Sequence, residues 1–361
     1  MKFEQETDVV IKGPCTLTVK DGKLVISGIE LEAGESLSIT QNYFTLTSIK
    51  STEVETDCQI IASYKTLGWY NVAKEIGGKI LVLGEQNSGK TYFSNLVLNI
   101  QGGALIDADV GQSSLFLPTF IAYTDDSSKK LLLSERKVKG LEFFGDITPS
   151  TNPRLHVALI ALALKKISSN NMVIDTDGWV TGFQAYRHKV ELAYVADPDY
   201  IIVFSPRLLS DLPEELVRKT KLLKPFPLNV DRDREKRRNY RVQKYKDYFS
   251  NAKVVKIYIN QLLGLPVSKN LLKAWEQTLQ LVDEQPCIGF YIDREELKGL
   301  LLGLTYKGEV VGAGILNDIK EEENVIEVLT PVEKFDGGII GEIGLNEDFT
   351  EKRVRIKKCL E

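Results

Sequence analysis

Residues 79–91 read KILVLGEQNSGKT: an apolar run, then Gly84, four residues, and Gly89-Lys90-Thr91. The spacing G-x-x-x-x-G-K-[ST] restricts what the chain can fold into, because it needs a buried strand just before it and a helix just after it. Both are present. Lys79–Leu83 has the continuous apolar character of a parallel strand, and Thr91–Ile100 (TYFSNLVLNI) reads as the following helix. The glycines let backbone N–H groups turn inward around phosphate oxygens, and the helix N-terminus adds partial positive charge. The expected nucleoside triphosphate contacts are Gly84, Glu85, Gln86, Asn87, Ser88, Gly89, Lys90, Thr91 and Tyr92. Lys90 would reach the β- and γ-phosphates, and the Thr91 hydroxyl would complete a Mg²⁺ shell. The pattern reads phosphates rather than bases, so ATP and GTP both remain candidates.

The surroundings of this loop set the fold class. Strand-like runs at Ile80–Leu83, Ala104–Asp107, Met172–Ile174 and Tyr200–Phe204 alternate with helix-like stretches such as Pro153–Lys166. That alternation predicts an α/β, P-loop NTPase-type parallel sheet flanked by helices over residues 71–265, with ligands at the carboxyl ends of the strands. Residues 1–70 are β-rich, with Asp21-Gly22 between two alternating runs as a hairpin signal and further strands at Glu35–Ile39 and Tyr43–Ile49. Residues 266–361 are β-rich again, with a Lys307-Gly308 turn between apolar runs. Small N-terminal and C-terminal β domains are therefore expected, in keeping with two or three domains for 361 residues.

Several function classes are disfavoured. No apolar stretch approaches the ~20 residues that span a bilayer, and no signal-peptide pattern opens the sequence. A soluble, intracellular, cytoplasmic protein without membrane contact is the expectation. Cys15, Cys58, Cys287 and Cys359 are scattered without a C-x-x-C pair, which suggests neither a zinc knuckle nor a redox pair. With only His156 and His188, a histidine-rich metal site is not expected. A net charge of −4 argues against indiscriminate coating of nucleic acid while leaving local basic patches open. A GTPase-type switch lacks its [NT]-K-x-D guanine-reading motif.

Four constellations accompany the loop. ALIDADVGQ (104–112) places Asp107 and Asp109 on one strand face, suited to Mg²⁺-water ligation and to accepting a hydroxyl proton, or simply to a solvated strand end. MVIDTDGW (172–179) offers a second such pair, Asp175 and Asp177, followed by Trp179. Trp179 either stacks on a nucleobase or plugs a gap between loop and core. EFFGDITPSTN (142–152) ends in Thr148, Pro149, Ser150, Thr151 and Asn152, which suit a substrate phosphate or sugar and equally suit a helix cap before Pro153. NVDRDREKRRNYRVQKYKDYFS (229–250) sets Arg234, Arg237, Arg238 and Arg241 in one helical stripe. The stripe is either a solvated face or an arginine lid gripping phosphate, with Lys219–Pro227 before it as a hinge-like connection.

Taken in order, GEQNSGKT, DADVGQ, TPSTN, DGWVTG and the arginine-rich segment resemble the polynucleotide 5′-hydroxyl kinase family. That family includes the RNA kinase subunit of the eukaryotic pre-mRNA cleavage machinery, a ribosomal-RNA-processing kinase and archaeal relatives. The flanks GPCTLTVKDGKLVISG and GLLLGLTYKGEVVGAGIL are similar to its two small β domains, and the compact three-domain form most resembles the archaeal RNA kinases. The resemblance implies transfer of the γ-phosphate of ATP or GTP, with Mg²⁺, to the 5′-hydroxyl of RNA, with DNA as a second candidate. It also implies RNA-processing proteins as partners. Lys90, Asp109, Arg232 and Arg237 then become catalytic. Asp109 activates the hydroxyl, Asp107 holds metal waters, and the two arginines close over the triphosphate. Thr148 to Asn152 clasp the γ-phosphate and terminal nucleotide, Trp179 stacks on the first base, and Gln112, Arg238 and Arg241 serve the substrate. The other class of reading is a scaffold that binds nucleotide in an RNA-processing complex without transferring phosphate.

Two departures stand out. Family members commonly carry Asn-Thr-Cys-Gly-Trp where this chain has Asp175-Thr176-Asp177-Gly178-Trp179, which favours Asp107 and Asp109 as the working acids. The segment after Trp179 is also about two residues short, so no role is assigned to Gln184.

Overall fold

A computed structural model describes residues 1–40, 43–227, 234–258, 290–292, 297–320, 323, 325–353 and 356–358. Contacts within the chain group it into two compact units. The first comprises Met1–Ala108, Tyr123–Lys139 and Leu164–Val230, and the second Asp109–Ala122, Gly140–Ala163 and Asp231–Glu361.

The first unit opens with two antiparallel sheets. One runs in the order Lys2–Phe3, Thr52–Thr56, Cys15–Asp21, Ser36–Ile39; the other runs Ile29–Glu32, Lys23–Ile26, Tyr43–Ser48, Thr7–Lys12, Gln59–Lys65. Leu17, Val19, Leu24, Ile26 and Leu46 are buried in one apolar cluster, as alternating strands with one wet face require. Asp21-Gly22 is not a hairpin. Cys15–Asp21 and Lys23–Ile26 belong to different sheets, and the chain crosses between them at Gly22, whose φ of +89° and closeness to the Ser51 carbonyl admit no side chain. The tight turn falls one strand later, at Ser27-Gly28. Both residues have positive φ, and Ile26 pairs with Ile29.

Two of the scattered cysteines are paired. Cys15 and Cys58 are joined by a disulfide with Cα atoms 4.8 Å apart, closing 43 residues of the first unit. By loop-closure entropy, a ring of that size contributes about 4 kcal/mol. Cys58→Ser is expected to lower the thermal midpoint of the protein, and reductant should lower the native midpoint but not that of the variant.

The same unit then forms a parallel sheet in the order Thr220–Leu222, Tyr200–Val203, Lys79–Leu83, Met172–Thr176, Ala104–Ala108. The phosphate-loop strand is central, and its two neighbours come later in the chain from opposite directions. Its carboxyl end is therefore a topological switch point, where open α/β sheets bind ligands. Every residue of Ala104–Ala108 and Met172–Thr176 is buried, which explains why both read as continuous apolar runs ending in acids. The Lys219–Pro227 segment is only partly a connection. Thr220–Leu222 is a sheet strand paired with Ile201–Val203, leaving Pro225–Pro227 as the loop proper.

The second unit is built on an antiparallel sheet in the order Gly140–Phe143, Glu309–Lys320, Leu300–Tyr306, Gly337–Leu345, Glu351–Arg353. Val325–Thr330 pairs with Glu309–Lys320 and with Lys253–Tyr258. Lys307-Gly308 is the two-residue turn expected from sequence, with φ of 52° and 85°. The arginine-rich segment forms the helix Arg234–Phe249. Aromatic side chains along one side hold it down. Tyr245 is fully buried, the Tyr248 hydroxyl accepts from the Ala313 N–H at 2.9 Å, and Phe249 stacks on Phe349.

Candidate nucleotide and acceptor site

In the first unit the phosphate loop is shaped from beneath by aromatic rings. Gly89 has φ of +100°, and a Cβ there would lie 2.3 Å from the Trp69 ring, so both backbone and packing demand glycine. Trp69 packs edge-on against Phe93 and Phe204, and its indole N–H donates to the Lys224 carbonyl. Gly84 is also close-packed, a Cβ there lying 2.8 Å from Ser88 and 2.9 Å from Phe204. Lys90 opens the helix Lys90–Gln101, is buried, and donates from Nζ to the Glu85 carbonyl at 2.8 Å. Its ammonium is thus folded over the loop that would hold phosphate. Thr91 follows, half-buried in the first turn. The Tyr92 hydroxyl accepts from Ser27 N–H and donates to the Thr45 carbonyl, so its polar end is tied to the N-terminal strands. Burial pushes that phenol up to about 12.

A cleft of about 380 Å³ adjoins the loop, lined by Glu85, Gln86, Asn87, Ser88, Phe204, Ser205, Pro206, Pro225, Phe226 and Pro227. The Phe226 N–H donates to the Ser88 carbonyl at 3.1 Å and closes one wall. This wall was invisible in the sequence apart from Pro225 and Pro227, read there only as a hinge signal.

At the carboxyl ends of the strands, Asp107 pairs in register with Asp175, and both are 1% exposed. Spacing alone offered two acidic pairs within single strands; the sheet sets the first acid of each beside the other. Asp177 lies beyond the strand and bonds to Lys189 and to the Trp179 N–H. Trp179 is half-buried and lies against His188, with ring centroids 5.6 Å apart. Gly178 presses on the phosphate loop itself: a Cβ there would lie 2.8 Å from the Gln86 nitrogen. Gln184 is exposed in the first turn of the helix Phe183–Ala196.

The remaining candidates lie in the second unit. Asp109 follows the end of its strand and folds into a turn, its Oδ1 accepting from the N–H groups of Gly111 and Gln112 at 3.0 and 2.9 Å. Gln112 Nε2 donates to the Gly111 carbonyl at 2.7 Å. The Thr148 and Ser150 hydroxyls bond to each other, Thr151 bonds back to the Thr148 carbonyl, and Pro149 is buried. Asn152 is the helix cap, its side-chain oxygen accepting from the Leu155 N–H at 3.1 Å. That loop is held by Asp146, which accepts from the Thr148 N–H and both arms of Arg353.

On the arginine helix, Arg234 and Arg238 are exposed and Arg237 half-buried. Arg241 is committed to Glu351, with 14% and 9% of the two side chains exposed. Tyr240 and Lys244 donate to carbonyls of Ser113, Ser114 and Phe116, which ties the middle of the helix to the stretch after Gln112. Arg232 lies outside the described residues, as do Cys287, Cys359 and the 265/266 boundary.

Residues 84–251 match the family described as mRNA cleavage and polyadenylation factor CLP1 P-loop. That match spans a little under half of the chain. Likeness beyond that segment is broad. The polyribonucleotide 5′-hydroxyl-kinase of Pyrococcus furiosus is 28% identical over 329 residues, covering 78% of this chain and 92% of that one. The polyribonucleotide 5′-hydroxyl-kinase of Methanocaldococcus jannaschii is 26% identical, covering 73% and 85%. The solved structure of the wild-type Clp1p–Pcf11p (454–563) complex superposes with a TM-score of 0.66 at 14% identity, covering 95% of this chain and 97% of that one. CLP1-type architecture, a parallel P-loop sheet with β-rich flanks, is therefore the fold of this protein. Among the described residues no helix is long and apolar enough to cross a membrane.

Proposed function

We propose that this protein is a polynucleotide 5′-hydroxyl kinase, a phosphotransferase moving the γ-phosphate of ATP or GTP to the 5′-hydroxyl end of RNA. The named activity of its archaeal relatives supports the reading. The observation that carries it is Gly178 against Gln86: the loop bearing Trp179, an aromatic suited to stack on an acceptor base, is packed onto the phosphate loop. A scaffold that only held nucleotide would have less use for that arrangement.

Thr91 hydroxyl and Asp107 carboxylate supply hard oxygen donors within one unit, which fits Mg²⁺, with Asp107 acting through water. Bound Mg²⁺ would neutralise charge on the β- and γ-oxygens. The acceptor oxygen forms a bond to the γ-phosphorus as the bond to the β-bridging oxygen breaks. The acceptor proton passes to Asp109, and the nucleoside diphosphate leaves. Lys90 and the lid arginines, Arg232 and Arg237, stabilise charge on the transferred group, since phosphoryl transfer is chiefly alignment and electrostatics. The exposed Ser150 and Thr151 hydroxyls before the helix Pro153–Lys166 suit a phosphate at a helix N-terminus. Gln112, Arg238 and Trp179 complete the acceptor side, and Arg241 joins them only if it exchanges Glu351 for substrate. The three segments 1–70, 71–265 and 266–361 are proposed as its domains, and RNA-processing proteins as its partners.

The deciding experiment incubates the protein with γ-labelled ATP or GTP, Mg²⁺, and RNA or DNA oligonucleotides bearing a 5′-hydroxyl. Label on the 5′ end of RNA is expected. No label with any pair would favour the nucleotide-binding scaffold.

A further inference from the structure

Lys189 lies inside the helix Phe183–Ala196 with a fully buried side chain, and its Nζ donates to Asp177 Oδ2 at 2.6 Å. The other oxygen of that carboxylate accepts from the Trp179 N–H at 2.7 Å. Three consecutive residues are thus held from three directions. Asp177 is held by a buried cation, Gly178 by the backbone of the phosphate loop, and Trp179 by the His188 ring. Beyond Val180 the chain is exposed through Gln184, so the restraint ends just past the indole.

Burying an ion pair is a poor route to stability, because desolvation offsets most of the attraction and an apolar pair of similar size often does as well. What such a pair does provide is a fixed position for whatever else the carboxylate binds. Here that includes the backbone nitrogen of the residue read as the acceptor-base stacker.

We propose that Lys189 is a positioning residue: through Asp177 it fixes the Trp179 loop on the phosphate loop, and so sets where the terminal base of the acceptor lies. The proposal rests on the kinase reading for its substrate, but its geometry can be tested without turnover.

Lys189→Met is expected to raise the KM for a 5′-hydroxyl RNA oligonucleotide about tenfold, within what loss of one base stack is worth. The KM for ATP should stay within about twofold, because the loop itself keeps its contacts. Acrylamide quenching of Trp179 emission, taken as the difference between each protein and its Trp179→Phe counterpart, should rise in Lys189→Met. Lys189→Arg, which keeps the cation, should recover part of both effects. If Lys189→Met does not fold, Asp177→Leu combined with Lys189→Met removes both charges together and should show the same acceptor KM and quenching changes.

Native acceptor KM and native quenching in either folded variant would overturn the proposal. So would equal rises in both KM values with quenching unchanged, the signature of a merely structural residue. If the native protein transfers no phosphate at all, the kinase reading fails, while the quenching comparison still decides whether Lys189 positions Trp179.

Discussion

Asp109→Asn is expected to cut kcat by roughly 10²–10⁴-fold, the usual worth of a positioned general base, while leaving the thermal midpoint unchanged. The turn makes this substitution informative. Asp109 Oδ1 accepts from the Gly111 and Gln112 N–H groups, and an asparagine oxygen can accept both bonds in its place. What is lost is the carboxylate's charge and its capacity to take a proton. Asp109→Ala removes the turn bonds as well and should destabilise the 109–112 segment in addition to losing activity. Rate measurements on both variants at saturating ATP separate the two contributions. Full activity in Asp109→Asn would sink the proposed base. Asp107 is a poor substitute for that role, being 1% exposed within its strand, and Asp107→Asn should instead alter the Mg²⁺ concentration needed for activity.

Lys90→Ala should be at least as damaging, with transfer falling on the order of 10³-fold or more, as for other lost donors to developing charge. The nucleotide should also bind more weakly, since Lys90 would meet the β- and γ-phosphates in the ground state too. In the structure the ammonium bonds to the Glu85 carbonyl. Its removal therefore costs the loop an internal tie, and circular dichroism is needed beside the rate assay to show that the sheet persists. Lys90→Arg is not a rescue: the position is 6% exposed, and a planar guanidinium does not fit where a compact ammonium folds back over the loop. Near-native transfer in Lys90→Ala would remove the phosphate loop from the mechanism.

Local signals in the chain were legible and non-local ones were not. The Pro153–Lys166 helix, the Lys307-Gly308 turn and the phosphate-loop strand and helix depend on periodicity, caps and positive-φ glycines, all of which lie within a few residues. Asp21-Gly22 carried the same kind of signal and misled, because a sandwich also uses such dipeptides to switch sheets, and the choice depends on strands far along the chain. The Cys15–Cys58 bridge, the Lys189–Asp177 pair and the clasp's tie to Arg353, 207 residues from Asp146, have no local pattern at all. The phosphate loop announced a nucleotide, but the rings beneath it and the wall at Phe226 come from segments that look like ordinary core and linker. Arg241 shows the same limit from the other side. Helical spacing placed it correctly on the basic stripe, yet only the fold supplies Glu351 as its partner.

The strand Glu351–Arg353 has three residues and no chemistry of its own, yet its alternate side chains hold both the arginine helix, through Arg241, and the Thr148 loop, through Asp146. A gene ending a few codons before Glu351 would still encode every residue assigned here to catalysis or binding and would pass any motif-based test of intactness. Its product should nevertheless be inert. Residues 351 and 353 are therefore as informative about activity as the sequence around Lys90.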